Sequence, residues 1–451
     1  AALAPDEGSS SVFKVKDSRA PGGIRRQMWH HASRTECMLC HNNRSGNIWS
    51  FNPMQLDTGR QLDALAANEL FENPLPEKRP AITNPHDAKA ALDDRARAYL
   101  HVNCTHCHTR GGGGTAMFQT QLGMTLKQTK LVNEKPTQGD FGIKGAMVIA
   151  AGDPHRSVLY YRMAKLGSGR MPRIGSRIVD TRGLQLIHDW ISSLPAAPLD
   201  NSLAAARGQV AVQLRALTSR DLDARHRAGY IIGLLESTSG ATRLLQEINS
   251  GSLPEATRRQ VIQLASSHAT ASIRDLFEQF LPEEKRVKRL GTTVRPEQIL
   301  ALEGSIERGR QVFFKTDGVQ CRNCHKINEQ GKEIGPDLSG VGLKNNRAQI
   351  LESMLQPSKK IEPKWLAYVV ETVQGRVHTG LLIKKDDKEV VLKDAKDKLA
   401  RIPASDVDVM APQQKSLMPD LLVRDMTAQQ VADLITFLVS LKTKPKQNKP
   451  K

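Results

Sequence analysis

Apolar residues recur at a helical period over much of the chain. Between 180 and 194, Leu184, Ile187, Ile191 and Leu194 share one face and Asp180 stands at the N-cap position, so a helix over Asp180–Leu194 is predicted. Near the other end, Val431, Leu434, Ile435, Leu438 and Val439 form a stripe behind a T-x-x-Q capping box at Thr427 and Gln430, which predicts a helix over Thr427–Leu441. Glu307–Phe314 reads as a helix, as does the Ala-rich run Ala88–Leu100 leading into Cys104. The period changes to two within Leu366–Met410, as in Tyr368-Val369-Val370-Glu371-Thr372-Val373, with turns at Gly375 and Asp386-Asp387. A small antiparallel sheet inserted among helices is the expected result.

Residues 205–282 carry no cysteine. They read as short amphipathic helices over Asp221–Leu235, Ala241–Asn249, Pro254–Ser267 and Ser272–Phe280. Paired helices of this length resemble HEAT-like repeats, and a plain helical connector is the alternative. The start of the chain reads as loop, with Pro21-Gly22-Gly23 and Asn42-Asn43; a short helix around Arg60–Phe71 and a linker with Pro74, Pro76, Pro80 and Pro85 follow.

The six cysteines change the picture most. They fall in three pentapeptides, Cys37-Met38-Leu39-Cys40-His41, Cys104-Thr105-His106-Cys107-His108 and Cys321-Arg322-Asn323-Cys324-His325, and none is left over. C-x-x-C-H is the attachment signature of haem c: two thiols bond the vinyl groups of one porphyrin and the adjacent imidazole ligates the iron. A zinc ribbon would pair its C-x-x-C units within ~15–20 residues, a redox dithiol needs no following His, and disulfides need no repeated pentapeptide. Three covalent haems are therefore expected, held by Cys37, Cys40, Cys104, Cys107, Cys321 and Cys324 and ligated by His41, His108 and His325.

A methionine opposite the histidine gives a low-spin iron of raised potential. Met171-Pro172 and Met418-Pro419 each lie just ahead of a closing helix and are the expected sixth ligands of the second and third irons. For the first, Met54 is the nearest downstream candidate; His30, His31, His86 or an open position are alternatives.

The fold expected is mainly α. Cytochrome c-like helical domains are joined by a helical connector, with a β insertion at about 366–410. The divisions are 1–86 with the first haem site, 87–200, the connector 201–295, 296–441, and a basic tail 442–451. The 451 residues exceed one core at about 100–200 residues per domain. No stretch approaches the ~20 apolar residues of a membrane helix, and Ala1-Ala2-Leu3-Ala4 suits a mature chain just past a cleavage site. Lys and Arg outnumber Asp and Glu by 65 to 47, for a formal charge of +18. That excess is spread along the chain without a nucleic-acid signature, which leaves a solvated surface, an acidic partner or an anionic membrane.

Two resemblances refine this. Residues 29–194 resemble the dihaem cytochrome unit associated with PQQ-dependent sugar dehydrogenases, through Trp29, Ser33-Arg34-Thr35-Glu36-Cys37, Arg95 to His108, Gly152-Asp153-Pro154 and Arg170-Met171-Pro172. Residues 296–441 resemble the haem-binding C-terminal domain of the Planctomycetes–Verrucomicrobia group, through Cys321 to His325, Gly335-Pro336-Asp337-Leu338, Gln356-Pro357-Ser358 and Ser416-Leu417-Met418-Pro419. The resemblances imply periplasmic or otherwise extracytoplasmic electron transfer, with a PQQ-dependent dehydrogenase or another cytochrome as redox partner. Nothing before Cys37 is long enough for the propeller that relatives carry, so dehydrogenase chemistry is not expected within these residues. The haem-bearing part of an oxidoreductase or peroxidase, with one open iron, is the alternative.

Overall fold

The computed structural model describes residues 5, 8–17, 23–34, 36–37, 41, 53–57, 61–77, 79, 81–109, 112, 116, 118–137, 139–196, 198–291, 294–315, 321–373, 377–393, 398–413, 416–418 and 421–443. Cys40, Pro419, Pro21-Gly22, Asn42-Asn43, Gly375 and the tail beyond 443 lie outside them. The chain resolves into two compact units, one of residues 1–166 and 170–286, the other of 167–169 and 287–451. Helices dominate the first, and the second combines helices with a five-stranded sheet. Among the described residues none is long and apolar enough to cross a membrane.

The first unit opens with a hairpin rather than a loop. Strands β1 (Ser9–Lys16) and β2 (Ile24–His31) pair antiparallel in register from Ser9↔His31 to Lys16↔Ile24. Val12, Phe13, Val15, Ile24 and Trp29 supply the β-branched and aromatic side chains that favour pleated backbone. All five are more than one-third exposed, so the pair shows no clean inside–outside alternation, the signal by which a strand is read from sequence.

Helices α1 (Pro53–Leu56), α2 (Gln61–Ala67), α3 (Leu92–Cys104), α4 (Leu126–Thr129), α5 (Val158–Ala164) and α6 (Thr181–Ser193) follow. Asp180 caps α6 as expected, accepting from Gly183 N at 3.0 Å. Helices α3 and α6 cross where Gly183 offers no side chain: a Cβ there would lie 2.3 Å from the Tyr99 ring. Tyr99 donates to Asp180 (3.0 Å) and Trp190 Nε1 to Asp93 (2.7 Å), fastening both ends of the crossing.

Five more helices complete this unit: α7 (Asn201–Leu217), α8 (Ala224–Leu235), α9 (Thr238–Ser250), α10 (Glu255–Ser266) and α11 (Ala271–Phe277). Their buried faces (Leu234, Leu244, Leu245, Val261, Phe277) share one hydrophobic core with Leu100, Ile149, Tyr160, Ile187 and Trp190. Helix α7 escapes the periodicity argument because only its last residue, Leu217, is buried. Ala-rich composition and the cap Asp200, which accepts from Leu203 N at 2.9 Å, account for it.

The second unit contains α12 (Pro296–Leu300), α13 (Ile306–Lys315), the short pair β3 (Lys326–Ile327) and β4 (Gln330–Gly331), α14 (Val341–Lys344) and α15 (Arg347–Leu355). Strands β5 (Ala367–Thr372), β6 (Val377–Lys385), β7 (Glu389–Lys393), β8 (Leu399–Pro403) and β9 (Val407–Pro412) form an antiparallel sheet in the order β8-β7-β6-β5-β9. Helix α16 (Ala428–Ser440) closes the unit behind the Thr427–Gln430 capping box.

Helices α13 and α16 repeat the glycine crossing. A Cβ on Gly309 would lie 2.1 Å from the carbonyl oxygen of Asp433. Arg308 forks onto the buried Asp433 carboxylate with two bonds of 2.8 Å, and Ser305 N donates to it at 2.8 Å. Because backbone opposes the added methyl, Gly309→Ala forces the helices apart. The expected cost is about 1–3 kcal/mol, read as a lower unfolding midpoint in urea; unchanged stability would mean the helices do not cross this closely.

Candidate functional site

Each C-x-x-C-H run is closed by the same backbone bond. His41 N donates to Cys37 O, His108 N to Cys104 O and His325 N to Cys321 O, each at 2.8 Å. In the second and third runs Cys107 N and Cys324 N also reach the first cysteine's carbonyl, at 3.1 Å. In the second and third runs one turn therefore carries both cysteines and the histidine. The five described cysteines are free of disulfides.

The first turn is started by a capping box, with Glu36 N donating to Ser33 Oγ (3.2 Å) and Ser33 N to Glu36 Oε2 (2.9 Å). The Glu36 side chain is fully buried and bonds His30 Nε2 at 2.5 Å, which ties β2 to this turn. Ser10 Oγ lies 3.3 Å from His30 Nδ1, and Ser11 Oγ lies 3.1 Å from His31 Nε2. Both nitrogens of His30 are thus engaged, whereas His86 is exposed. Met54 sits half-buried on α1, whose carbonyl at that position accepts from Ile82 N at 3.3 Å.

The second turn continues α3. His108 is 9% exposed and stacks on Phe118, ring centroids 4.3 Å apart and planes 11° from parallel. Thr120 N donates to the His108 carbonyl (3.0 Å), and Thr105 and Thr120 hydroxyls bond at 2.9 Å, locking the return strand under the turn. Burial, then the positive charge of Arg162 and His106, push the His108 pKa down to about 4. The imidazole is neutral at pH 7, the form that ligates iron. Burial pushes the Cys104 thiol up to about 12, so it is no redox thiolate. Met171 N donates to the carbonyl of Arg162 (3.0 Å), the residue whose charge acts on His108. His101, three residues before Cys104 on α3, accepts from Leu122 N at its Nδ1, at 3.3 Å.

The third turn is the most fully built. His325 Nδ1–H donates to the Pro336 carbonyl at 2.9 Å, which fixes the tautomer and leaves the Nε2 lone pair for a metal. Cys324 O receives Ile334 N (3.0 Å) and Gly335 N (2.7 Å), drawing that loop against the ring. A Cβ on Gly335 would stand 2.8 Å from His325 Cε1. Asp337 then caps the next turn by accepting from Ser339 N at 2.8 Å. Burial pushes the Cys321 thiol up to about 12 and raises Cys324 as well.

Met418 packs against the apolar cluster that also contains Cys321. A serine relay holds it: Met418 N donates to Ser416 Oγ (3.1 Å) and Ser416 N donates to Ser358 Oγ (3.1 Å). Gln356-Pro357-Ser358 thereby acquires a role that its spacing does not reveal.

Among the described residues no three His, Cys, Asp or Glu side chains gather as a metal cluster. In the third turn, two thiols held protonated by burial and an imidazole whose Nδ1 proton is engaged suit a porphyrin.

Residues 306–390 match the family model for cytochrome c. The match runs from α13 into β7 and spans Cys321, Cys324, His325 and the Gly335–Leu338 loop, ending before Met418. A search of curated proteins finds no significant match to the chain. The match to cytochrome c supports a haem-bearing electron carrier: haem iron takes up and releases one electron at a time. In this domain Cys321 and Cys324 would hold the group and His325 would ligate it. Pro336 holds the imidazole proton at Nδ1, and Gly335 admits the loop close enough to do so.

Proposed function

We propose that the chain carries three covalent haems and passes electrons between redox proteins outside the cytoplasm. One observation carries this reading: the described backbone of all three C-x-x-C-H runs closes with the same His N to Cys O bond of 2.8 Å. The run inside the cytochrome c match and the two outside it share one local geometry. Met171 and Met418 complete the second and third irons, and Met54 the first. The resemblance of 29–194 to the dihaem unit of PQQ-dependent sugar dehydrogenases points to such a dehydrogenase, or another cytochrome, as donor. The resemblance of 296–441 to the Planctomycetes–Verrucomicrobia haem-binding domain supports the third site. The formal charge of +18 favours an acidic docking face on the partner.

The test is haem content per chain by alkaline pyridine haemochrome, with the cysteines of each pair replaced by Ala in turn. Three haems, falling by one in each variant, is the expected result; fewer than three in the parent chain overturns the reading. Low-temperature EPR of the oxidised protein should show low-spin iron only. A stoichiometric high-spin signal would instead mark an open iron and favour an oxidoreductase or peroxidase role.

A further inference from the structure

Arg170 precedes the expected ligand Met171, yet its guanidinium turns onto the segment that follows. Nη1 donates to the carbonyls of Pro172 (3.0 Å) and Ser176 (2.8 Å), and Nη2 donates to Ser176 Oγ (3.0 Å) and the Ile178 carbonyl. Ser176 Oγ donates to the same Ile178 carbonyl at 2.9 Å. One planar cation thus gathers acceptors from three residues of a segment without regular secondary structure. At the other end, Met171 N is held by the Arg162 carbonyl at 3.0 Å. Two residues beyond Ile178, Asp180 caps α6 and accepts from Tyr99 on α3, the helix that carries Cys104.

We propose that Arg170 is the positioning residue for Met171: its fork holds 172–178 in a preformed hoop, so the thioether is presented to the iron of the second site. The proposal rests on the reading that Met171 is that iron's sixth ligand. A fork is needed because four bonds diverge in one plane; a lysine ammonium reaches fewer of these acceptors at once. Without the fork, Met171 competes poorly against an added ligand, as a binding-competent state that is only partly populated loses apparent affinity in proportion.

The test uses the full haem-loaded chain, with Met171→Ala as reference and Arg170→Gln and Arg170→Lys as probes. The ferric methionine–iron charge-transfer band is followed while imidazole is titrated. Met171→Ala should remove part of the band. In Arg170→Gln, imidazole should displace that same part at a concentration at least about tenfold lower than in the parent chain, with Arg170→Lys between the two and far-UV circular dichroism unchanged. A purely structural role would lower the unfolding temperature and leave the imidazole titration where it was; that result overturns the proposal. If Arg170→Gln does not fold, Ser176→Ala removes one acceptor and should shift the titration in the same direction; no shift there also overturns it. If Met171→Ala leaves the band intact, the ligand assignment itself fails and takes this proposal with it.

Discussion

Asp275→Ala should cost the first unit about 3–5 kcal/mol. Lys165 and Asp275 are 1% and 3% exposed, and Nζ lies 3.5 Å from Oδ2. The ammonium also rests over the rings of Phe141 (5.6 Å) and Tyr161 (5.3 Å), which attract it but carry no negative charge. Removing the carboxylate takes an anionic partner from the buried ammonium and from Arg274, whose Nη2 lies 3.6 Å from Oδ1, which is far costlier than the pair itself is worth. The double replacement Lys165→Met with Asp275→Leu should therefore recover most of the loss. Urea unfolding of the single and double variants reads both numbers, and a loss below about 1 kcal/mol for Asp275→Ala, the level of an exposed pair, would show that water reaches this site.

Gly335→Ala should raise the reduction potential of a single haem. The added methyl meets His325 Cε1 at 2.8 Å and Nδ1 at 3.1 Å, so ring and loop must part and the 2.9 Å bond to Pro336 weakens. That bond gives the imidazole anionic character, which favours the ferric state; its loss favours the ferrous one. Second-layer partners of this kind are worth about 10–100-fold, and a tenfold change is about 59 mV for one electron. A potentiometric titration should show one wave move up by about 60–120 mV, with the others in place. An unmoved wave would remove Pro336 from the tuning of this site.

Much of the frame was legible from short-range pattern. The cap and stripe of α16, the cap Asp180 of α6 and the period-two run that became the sheet all depend on residues within a few positions of one another. Beyond that range the pattern falls silent for identifiable reasons. The hairpin β1–β2 keeps apolar residues exposed and so lacks alternation. The face of α9 reads as amphipathic, but nothing in its period says that Leu244 and Leu245 join the core of Leu100 and Trp190.

The candidate sites divide in the same way. The cysteines and histidines proposed to hold haem stand out in the sequence because attachment chemistry would fix their spacing. The residues that tune or aim the ligands act across the chain: Pro336 on His325, Ser358 on Ser416 over 58 positions, and Glu36 on His30 from another element. Gly335-Pro336-Asp337 and Gln356-Pro357-Ser358 stood out as motifs without a stated job. Their jobs appear only once a carbonyl or a hydroxyl is seen facing its donor.

The sheet of the second unit begins and ends at one place. Strands β5 and β9, the first and last to be made, lie side by side, with Tyr368 opposite Pro412 and Gln413 N bonded to Ala367 O at 2.7 Å. The chain thus departs toward the sheet and comes back at nearly the same point, as a spur leaves and rejoins a road. Traffic along the main route, from the His325 loop to Ser416 and Met418, does not depend on how long the spur is. Strands can be added, trimmed or exchanged at the β6–β8 end without lengthening the path between the His325 loop and Met418. The cassette is free to diversify while the helices that flank it in sequence stay the same.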